Sequence, residues 1–136
     1  MLSGQESIDI YLAPQPSKPL YYRLAAGPNA ATKYDALNGL VSDVMDPRHG
    51  RDDPTWNGEW SSETRVDVKN KRWHLHLTIP FQTLDVEAPT KGITWKANFG
   101  RNHALPREQV DRAIWSSSLT SARMEDTAVM GEIVFE

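Results

Sequence analysis

The chain has 136 residues, of which 39% are hydrophobic and 24% charged, so it has the length of one domain and not the composition of a disordered chain. Fifteen basic and eighteen acidic residues give a net charge of -3, which excludes the strongly basic surface that nucleic-acid binding needs. Cysteine is absent, so disulfides, thiol nucleophiles and cysteine-ligated zinc are excluded as well. No run of about 18 apolar residues is present, and we expect one domain over residues 1–136 with no membrane partner.

Alternation between apolar and polar residues predicts a β-hairpin at the beginning of the chain. In residues 8–12 the apolar side chains alternate with Asp9 and Tyr11, and residues 20–26 alternate in the same way. The connection between the two segments is rich in proline, which a helix would not tolerate.

Residues 27–60 are punctuated by proline and glycine, which predicts a long loop with at most a brief strand near 32–35. Asp46, Asp52 and Asp53 of this loop could offer oxygen ligands to calcium. Their spacing matches no EF-hand, and neighbouring arginines neutralise part of the charge. A solvated, self-paired loop is therefore the preferred interpretation, and calcium is the open alternative.

The clearest predicted hairpin comes next, because residues 64–69 and 72–79 both alternate on either side of a short turn. His74 and His76 leave the same side of the second strand and could chelate a metal. No third ligand is evident, so an ordinary polar strand face is the preferred interpretation.

The rest of the chain adds strands and one short helix. An alternating strand is predicted over 94–101 and closing strands over 113–116 and 131–135, while the proline at the start of 106–110 favours a helix there. Six or more short strands without a sustained helical period predict an all-β fold, an antiparallel β-sandwich of jelly-roll type.

No pattern in the chain favours catalysis. The serines at 116–118 lack the Gly-x-Ser-x-Gly elbow of a hydrolase nucleophile. Eighteen acidic residues make chance carboxylate pairs plentiful, so a small hydrolase built on two carboxylates is only the third alternative. We expect that the chain is not an enzyme.

The five tryptophans fall into two groups. Trp73 and Trp95 lie on the apolar sides of their strands and are expected in the core. Trp56, Trp60 and Trp115 lie among polar residues, where an indole either covers the core or stacks on the apolar face of a sugar whose hydroxyls bind planar polar groups.

Several segments follow one another in a characteristic order: ESIDIYL (6–12), YYRL (21–24), YDA (34–36), DPTWNGEW (53–60), IPF (79–81), GITWKANFGRN (92–102), WS (115–116) and GEIVFE (131–136). This succession spans nearly the whole chain and resembles the carbohydrate-binding module family 9-like domains. These are β-sandwich modules commonly attached to secreted glycan-degrading enzymes. The resemblance implies carbohydrate as the partner and an extracellular or periplasmic location.

The resemblance also implies which residues would bind the sugar. Asp9 stands where the family has a sugar-facing acid, and Arg23 stands at a sugar-contacting arginine. Arg101 and Asn102 fall within a polar stretch after the central strand. We expect these groups to converge on a water-accessible hollow that needs no cofactor.

The sequence departs from the family in two ways. The two tryptophans that sandwich the sugar in family members correspond to Ser3 and Met124, so we expect Trp115 to supply the stacking ring, with Trp56 or Tyr22 as alternatives. Members also carry several strands before the first hairpin. We therefore expect a second copy or another chain to complete the sandwich, because a truncated sheet exposes unpaired strand edges.

Two functions of different classes follow. The first is a non-catalytic carbohydrate-binding module accessory to a glycan-degrading enzyme, although the first residues show no signal-peptide pattern. The alternative is a β-sandwich interaction or scaffold domain that has lost sugar binding. An open polar groove would favour the first, and an apolar face buried between chains the second.

Overall fold

The computed structural model describes residues 6–17, 20–29, 33–38, 45, 53, 55–105, 109–116 and 130–136. These ranges contain eight strands and one turn of 3-10 helix: β1 (Ser7–Ala13), β2 (Tyr21–Ala26), β3 (Lys33–Asn38), β4 (Ser61–Asp67), β5 (Arg72–Thr78), the 3-10 helix (Phe81–Leu84), β6 (Thr94–Leu105), β7 (Gln109–Ile114) and β8 (Gly131–Val134). All strand pairs in this part of the chain are antiparallel. The predicted all-β class is confirmed. No helix within the same ranges is long and apolar enough to cross a membrane.

The strands form two sheets of unequal size. The six-stranded sheet has the order β3-β2-β1-β6-β7, and β8 also pairs with β6. The second sheet is the β4–β5 hairpin. Both predicted hairpins are therefore confirmed, since β1 pairs with β2 and β4 pairs with β5.

The core lies between the two sheets. Alternation along β1 places Ile10 and Leu12 on the inner face, and Leu24 of β2 lies directly beside Ile10. Leu75 and Leu77 of β5 pack against this layer from the second sheet. Leu24 is fully buried, so its truncation to alanine would cost about 2–5 kcal/mol. Two sheets enclosing one core make the predicted sandwich arrangement correct.

The outer face of β1 is buried as well. Tyr11 and Ala13 of β1 form a second cluster with Tyr21 and Met130, and Ile114 packs against it. Tyr21 comes from β2, Ile114 from β7 and Met130 from the position before β8, so three other segments help to cover this face. The polar positions of β1 therefore do not face open solvent.

Two predicted elements differ from the structure. The brief strand near 32–35 is β3, which runs on to Asn38 because it pairs along the whole of β2. The prediction of a helix over 106–110 is wrong at Gln109 and Val110. These two residues begin β7 and pair with the end of β6. Strand pairing there overrides the local helix signal. The 3-10 helix has no predicted counterpart, because its four residues are too few to show a helical period.

Candidate functional site

Five hydrogen-bonding side chains lie together on the outer face of the six-stranded sheet, and we call them the outer polar set: Ser7, Asp9, Arg23, Asn98 and Asn102. They come from three neighbouring strands, β1, β2 and β6. The register places Asn102 opposite Ser7, and places both Arg23 and Asn98 opposite Tyr11. Residues opposite each other leave a sheet on the same side, so alternation along β1 brings all five to one face.

The carboxylate of Asp9 is buried and hydrogen-bonded. Asp9 is only 3% exposed. The amide Nδ2 of Asn102 donates to Asp9 Oδ2 at 2.8 Å and to Ser7 Oγ at 3.0 Å. A buried charge is tolerated only where hydrogen bonds or an opposite charge compensate it, so Asn102 is a structural partner of Asp9.

Arg23 approaches Asp9 at a longer distance. Its Nη2 lies 3.9 Å from Asp9 Oδ1, beyond the range of about 3.2 Å for an N–H···O hydrogen bond. One water or hydroxyl can bridge polar atoms at such a separation. The guanidinium also lies 5.4 Å from the centre of the Tyr11 ring, within the range of cation–π attraction. The Arg23 side chain is 13% exposed and that of Asp9 4%, so Arg23 is the more accessible residue of the pair.

The expectation that Asp9 lies in a water-accessible hollow is wrong, because Asp9 is buried. Tyr11, Tyr21 and Met130 pack over the same outer face and are themselves buried. The structure thus brings Asp9, Arg23 and Asn102 together, as the resemblance implied, but largely beneath packed side chains.

Asn98 ties β6 to the end of β7. Its Nδ2 donates to the carbonyl of Ser116 at 2.8 Å, and its Oδ1 accepts from the backbone N–H of Ser116 at 3.0 Å. Because Asn98 is fully buried, these bonds fix the chain where β7 ends.

Arg101 lies on the opposite face from Asp9. It pairs with Ile8 in the register, on the inner side of the sheet. Its guanidinium donates to Glu6 Oε1 at 3.1 Å through Nε and at 2.6 Å through Nη2. His103 Nδ1 lies 2.8 Å from the other Glu6 oxygen. Arg101 therefore belongs to a surface ion cluster and does not join the outer polar set.

Trp115 also lies on the inner side. Its backbone N–H donates to the carbonyl of Phe99, and the two rings meet edge to face at 5.4 Å. A Cβ built on Gly131 would clash with the Trp115 ring, so the indole lies directly on that glycine. Trp115 is 54% exposed. The ring is accessible, but the sheet separates it from Asp9 and Arg23.

The other candidate rings are packed. Trp56 lies against Tyr22 with ring centres 5.2 Å apart. Burial, with a smaller contribution from the charge of Asp85, raises the pKa of the Tyr22 phenol. Trp60 is buried and donates Nε1 to Asp35 Oδ2 at 2.7 Å. These rings stabilise the sandwich and form no open platform.

The two tryptophans that were expected in the core differ in burial. Trp95 is buried between Phe81 and Phe135, which contact it edge to face at 6.1 Å and 4.9 Å. Trp73 is half-buried on the inner side of β5.

The candidate metal ligands that the structure describes form no cluster of three. His74 and His76 are exposed on the outer side of β5, and His76 Nδ1 lies 4.0 Å from Glu63 Oε2. Asp46 and Asp52 of the calcium alternative lie outside the described residues. Within the described ranges, no three histidine or acidic side chains are grouped around a point that could hold a metal ion.

Sequence reasoning missed three residues, Glu6, Ser7 and Asn98. Ser7 stands two residues before Asp9, and Asn98 stands four residues before Asn102. A period of two places each pair on one side of its strand, so the alternation already carried this signal. Only the register between β1 and β6 brings the two pairs together.

The chain is a two-sheet antiparallel β-sandwich that carries a buried polar set on the outer face of its larger sheet. It is similar to the crystal structure of a protein of Bacteroides uniformis ATCC 8492 that bears the description "putative carbohydrate-binding protein". The TM-score is 0.67 at 15% sequence identity, and the match covers 100% of this chain and 63% of that one. The chain thus spans less than two thirds of that structure, and at this identity the likeness shows the fold alone. No protein-family model and no curated protein matches the chain.

Proposed function

We propose that the chain is a non-catalytic carbohydrate-binding module. The proposal rests on the 3.9 Å separation between Asp9 Oδ1 and Arg23 Nη2. A sugar hydroxyl in contact with both groups would donate to the carboxylate and accept from the guanidinium, and both hydrogen bonds would be strengthened by charge.

Two similarities support this choice. The fold is shared with a protein described as carbohydrate-binding, and the order of sequence segments resembles the family 9-like modules. The same resemblance supports an accessory role beside a glycan-degrading enzyme outside the cell. Both roles are proposals for this chain.

The affinity is expected to be low. Trp115 lies across the sheet from Asp9 and cannot stack on a sugar held there, so hydrogen bonds must provide most of the binding energy. Exchanging water for hydroxyl contacts gives a small net gain. We expect dissociation constants of about 1 mM or weaker, equivalent to about 4 kcal/mol.

Calorimetric titration with a panel of mono- and oligosaccharides tests the proposal. Asp9→Asn keeps an oxygen that can accept from Asn102, and Arg23→Gln removes the guanidinium, so both variants should fold and lose binding. Arg65→Gln is the matched control, because Arg65 is exposed on β4 of the other sheet. Absence of heat with every glycan at millimolar concentration, or an equal loss in Arg65→Gln, would refute the assignment.

A second function is favoured by the burial of Asp9, which is 3% exposed. In this alternative the outer polar set is purely structural, and the sandwich is an interaction domain that has lost sugar binding. Its partner would be a second copy or another chain that completes the smaller sheet. A folded wild-type protein that binds no glycan would select this function.

A further inference from the structure

A cavity of about 500 Å³ lies between the β4–β5 hairpin and the six-stranded sheet. Ile8 and Ile10 of β1 line it on one side, and Trp73, Leu75 and Leu77 of β5 line it on the other. The cavity continues the apolar core, since these residues pack against the core cluster or lie beside it. Apolar surface of this kind is stabilised when it is covered.

The cavity borders the edge of β5 and not only its inner side. Five consecutive residues, 71–75, line it, so both inward and outward positions of the strand contribute. No residue of β4 lines it, which places the cavity on the side of β5 away from β4. In the part of the chain that the structure describes, β5 pairs with β4 alone. An unpaired edge presents a row of backbone N–H and C=O groups to any strand that approaches.

The larger sheet extends past this edge without a second layer in the described ranges. The exposed Trp115 lies there on the inner side, on Gly131 and Phe99. Within the described ranges the smaller sheet has two strands and the larger sheet has six.

The rim of the cavity is basic. Lys71 and Arg72 line it, and none of the lining residues in the described ranges is acidic. Arg101 also lines it, but its charge is paired with Glu6. Lys71, Arg72 and His74 are exposed. A strand entering here would meet positive charge along its outward side.

We propose that the open edge of β5 binds a β-strand of a partner protein, with apolar side chains pointing inward and acidic side chains pointing outward. Seven residues would match the length of β5 and span about 23 Å. Alternation would place three or four side chains in the cavity, over Ile8 and Ile10. This surface lies on the inner side of the larger sheet, so the proposal does not depend on sugar binding at Asp9.

Charge disfavours a second copy of this chain as the occupant. β5 contains no acidic residue, so β5 of another copy would bring no opposite charge to Lys71 or Arg72. Opposite charges across a strand pair are what would stabilise the pairing. A small ligand is also a poorer match, because it cannot pair with a row of backbone groups.

Fluorescence anisotropy with a labelled nine-residue peptide of alternating valine and glutamate tests the proposal on the 136-residue protein. The peptide should bind in low-salt buffer, and its valine–lysine counterpart should not. Lys71→Glu combined with Arg72→Glu should weaken binding by about tenfold. Arg65→Glu is the matched control, since Arg65 points outward from β4, and it should bind like the wild type.

Amide hydrogen exchange locates the bound peptide. Strand addition should protect amides of β5 and leave those of β4 unchanged. Equal binding of both peptides, or unchanged affinity in the double variant, would overturn the proposal. It would also be overturned if β5 were protected without peptide in a protein that sediments as a dimer, because a second copy would then occupy the edge.

Discussion

Replacing Asn102 by alanine tests whether hydrogen bonds hold the outer polar set together. The side chain donates to Asp9 Oδ2 and to Ser7 Oγ, and all three residues are buried. A hydrogen bond to a charged group contributes about 1.5–3 kcal/mol and one between neutral groups about 0.5–1.5 kcal/mol. Removing both while their acceptors stay buried should lower the free energy of unfolding by about 2–4 kcal/mol.

Calorimetry and urea denaturation measure this loss. For a domain of 136 residues, 1 kcal/mol corresponds to about 3 °C, so Asn102→Ala should lower Tm by about 6–12 °C. The urea midpoint should fall while the slope of the transition stays constant, because the surface exposed on unfolding hardly changes.

The hairpin turn provides the control. Asn70 Nδ2 donates to Asp67 Oδ2 at 2.7 Å, the same pair of chemical groups at a similar distance, but in water. Asn70→Ala should barely change Tm. It should instead raise the pKa of Asp67, which the hydrogen bonds from Asn70 now hold below its ordinary value. If Asn102→Ala lowers Tm no more than Asn70→Ala does, burial does not amplify the bond and the reasoning is wrong.

Three further variants test other parts of the structure. Trp60→Phe removes the 2.7 Å bond to Asp35 and should cost about 1.5–3 kcal/mol in urea denaturation, whereas an unchanged midpoint would contradict a role for that bond. Gly131→Ala places a Cβ against the Trp115 ring, so the indole N–H resonance of Trp115 should shift, and an unmoved resonance would contradict the contact. Burial raises the pKa of Tyr22, so the midpoint of its ultraviolet titration should lie above that of an exposed tyrosine. The stability gained from its neutral form is present below the ordinary pKa and is lost as pH rises through the raised one, and a Tyr22→Phe variant with an unchanged titration curve would contradict this.

The hairpins could be predicted because alternation is a local property. Residues 8–12 and 72–79 show a period of two, and the turn-forming residues beside them disfavour a helix. The ends of strands are not local. β6 runs to Leu105 and β7 begins at Gln109 because the two strands pair with each other, and nothing in the local sequence indicates that pairing.

The candidate site could be predicted only in part. Asp9 and Arg23 meet because β1 and β2 form a short-range hairpin whose register puts Tyr11 opposite Arg23. Arg101 and Asn102 are neighbours in sequence, so the strand geometry alone excludes that both side chains face Asp9. The burial of this face could not be predicted, because Met130 joins Tyr11 and Tyr21 there from a distant part of the chain.

The two proposed surfaces lie on opposite faces of one sheet, which makes them separable. Asp9 points outward and Ile8 points inward from adjacent positions of β1, so a substitution at the outer polar set leaves the cavity beside β5 intact. Asp9→Asn should therefore abolish glycan binding and leave peptide affinity unchanged. The Lys71→Glu and Arg72→Glu pair should do the reverse, since both residues lie on the hairpin side. If either variant abolished both activities while circular dichroism showed a native fold, the two faces would be coupled through β1, and the assignment of each function to its own face would fail.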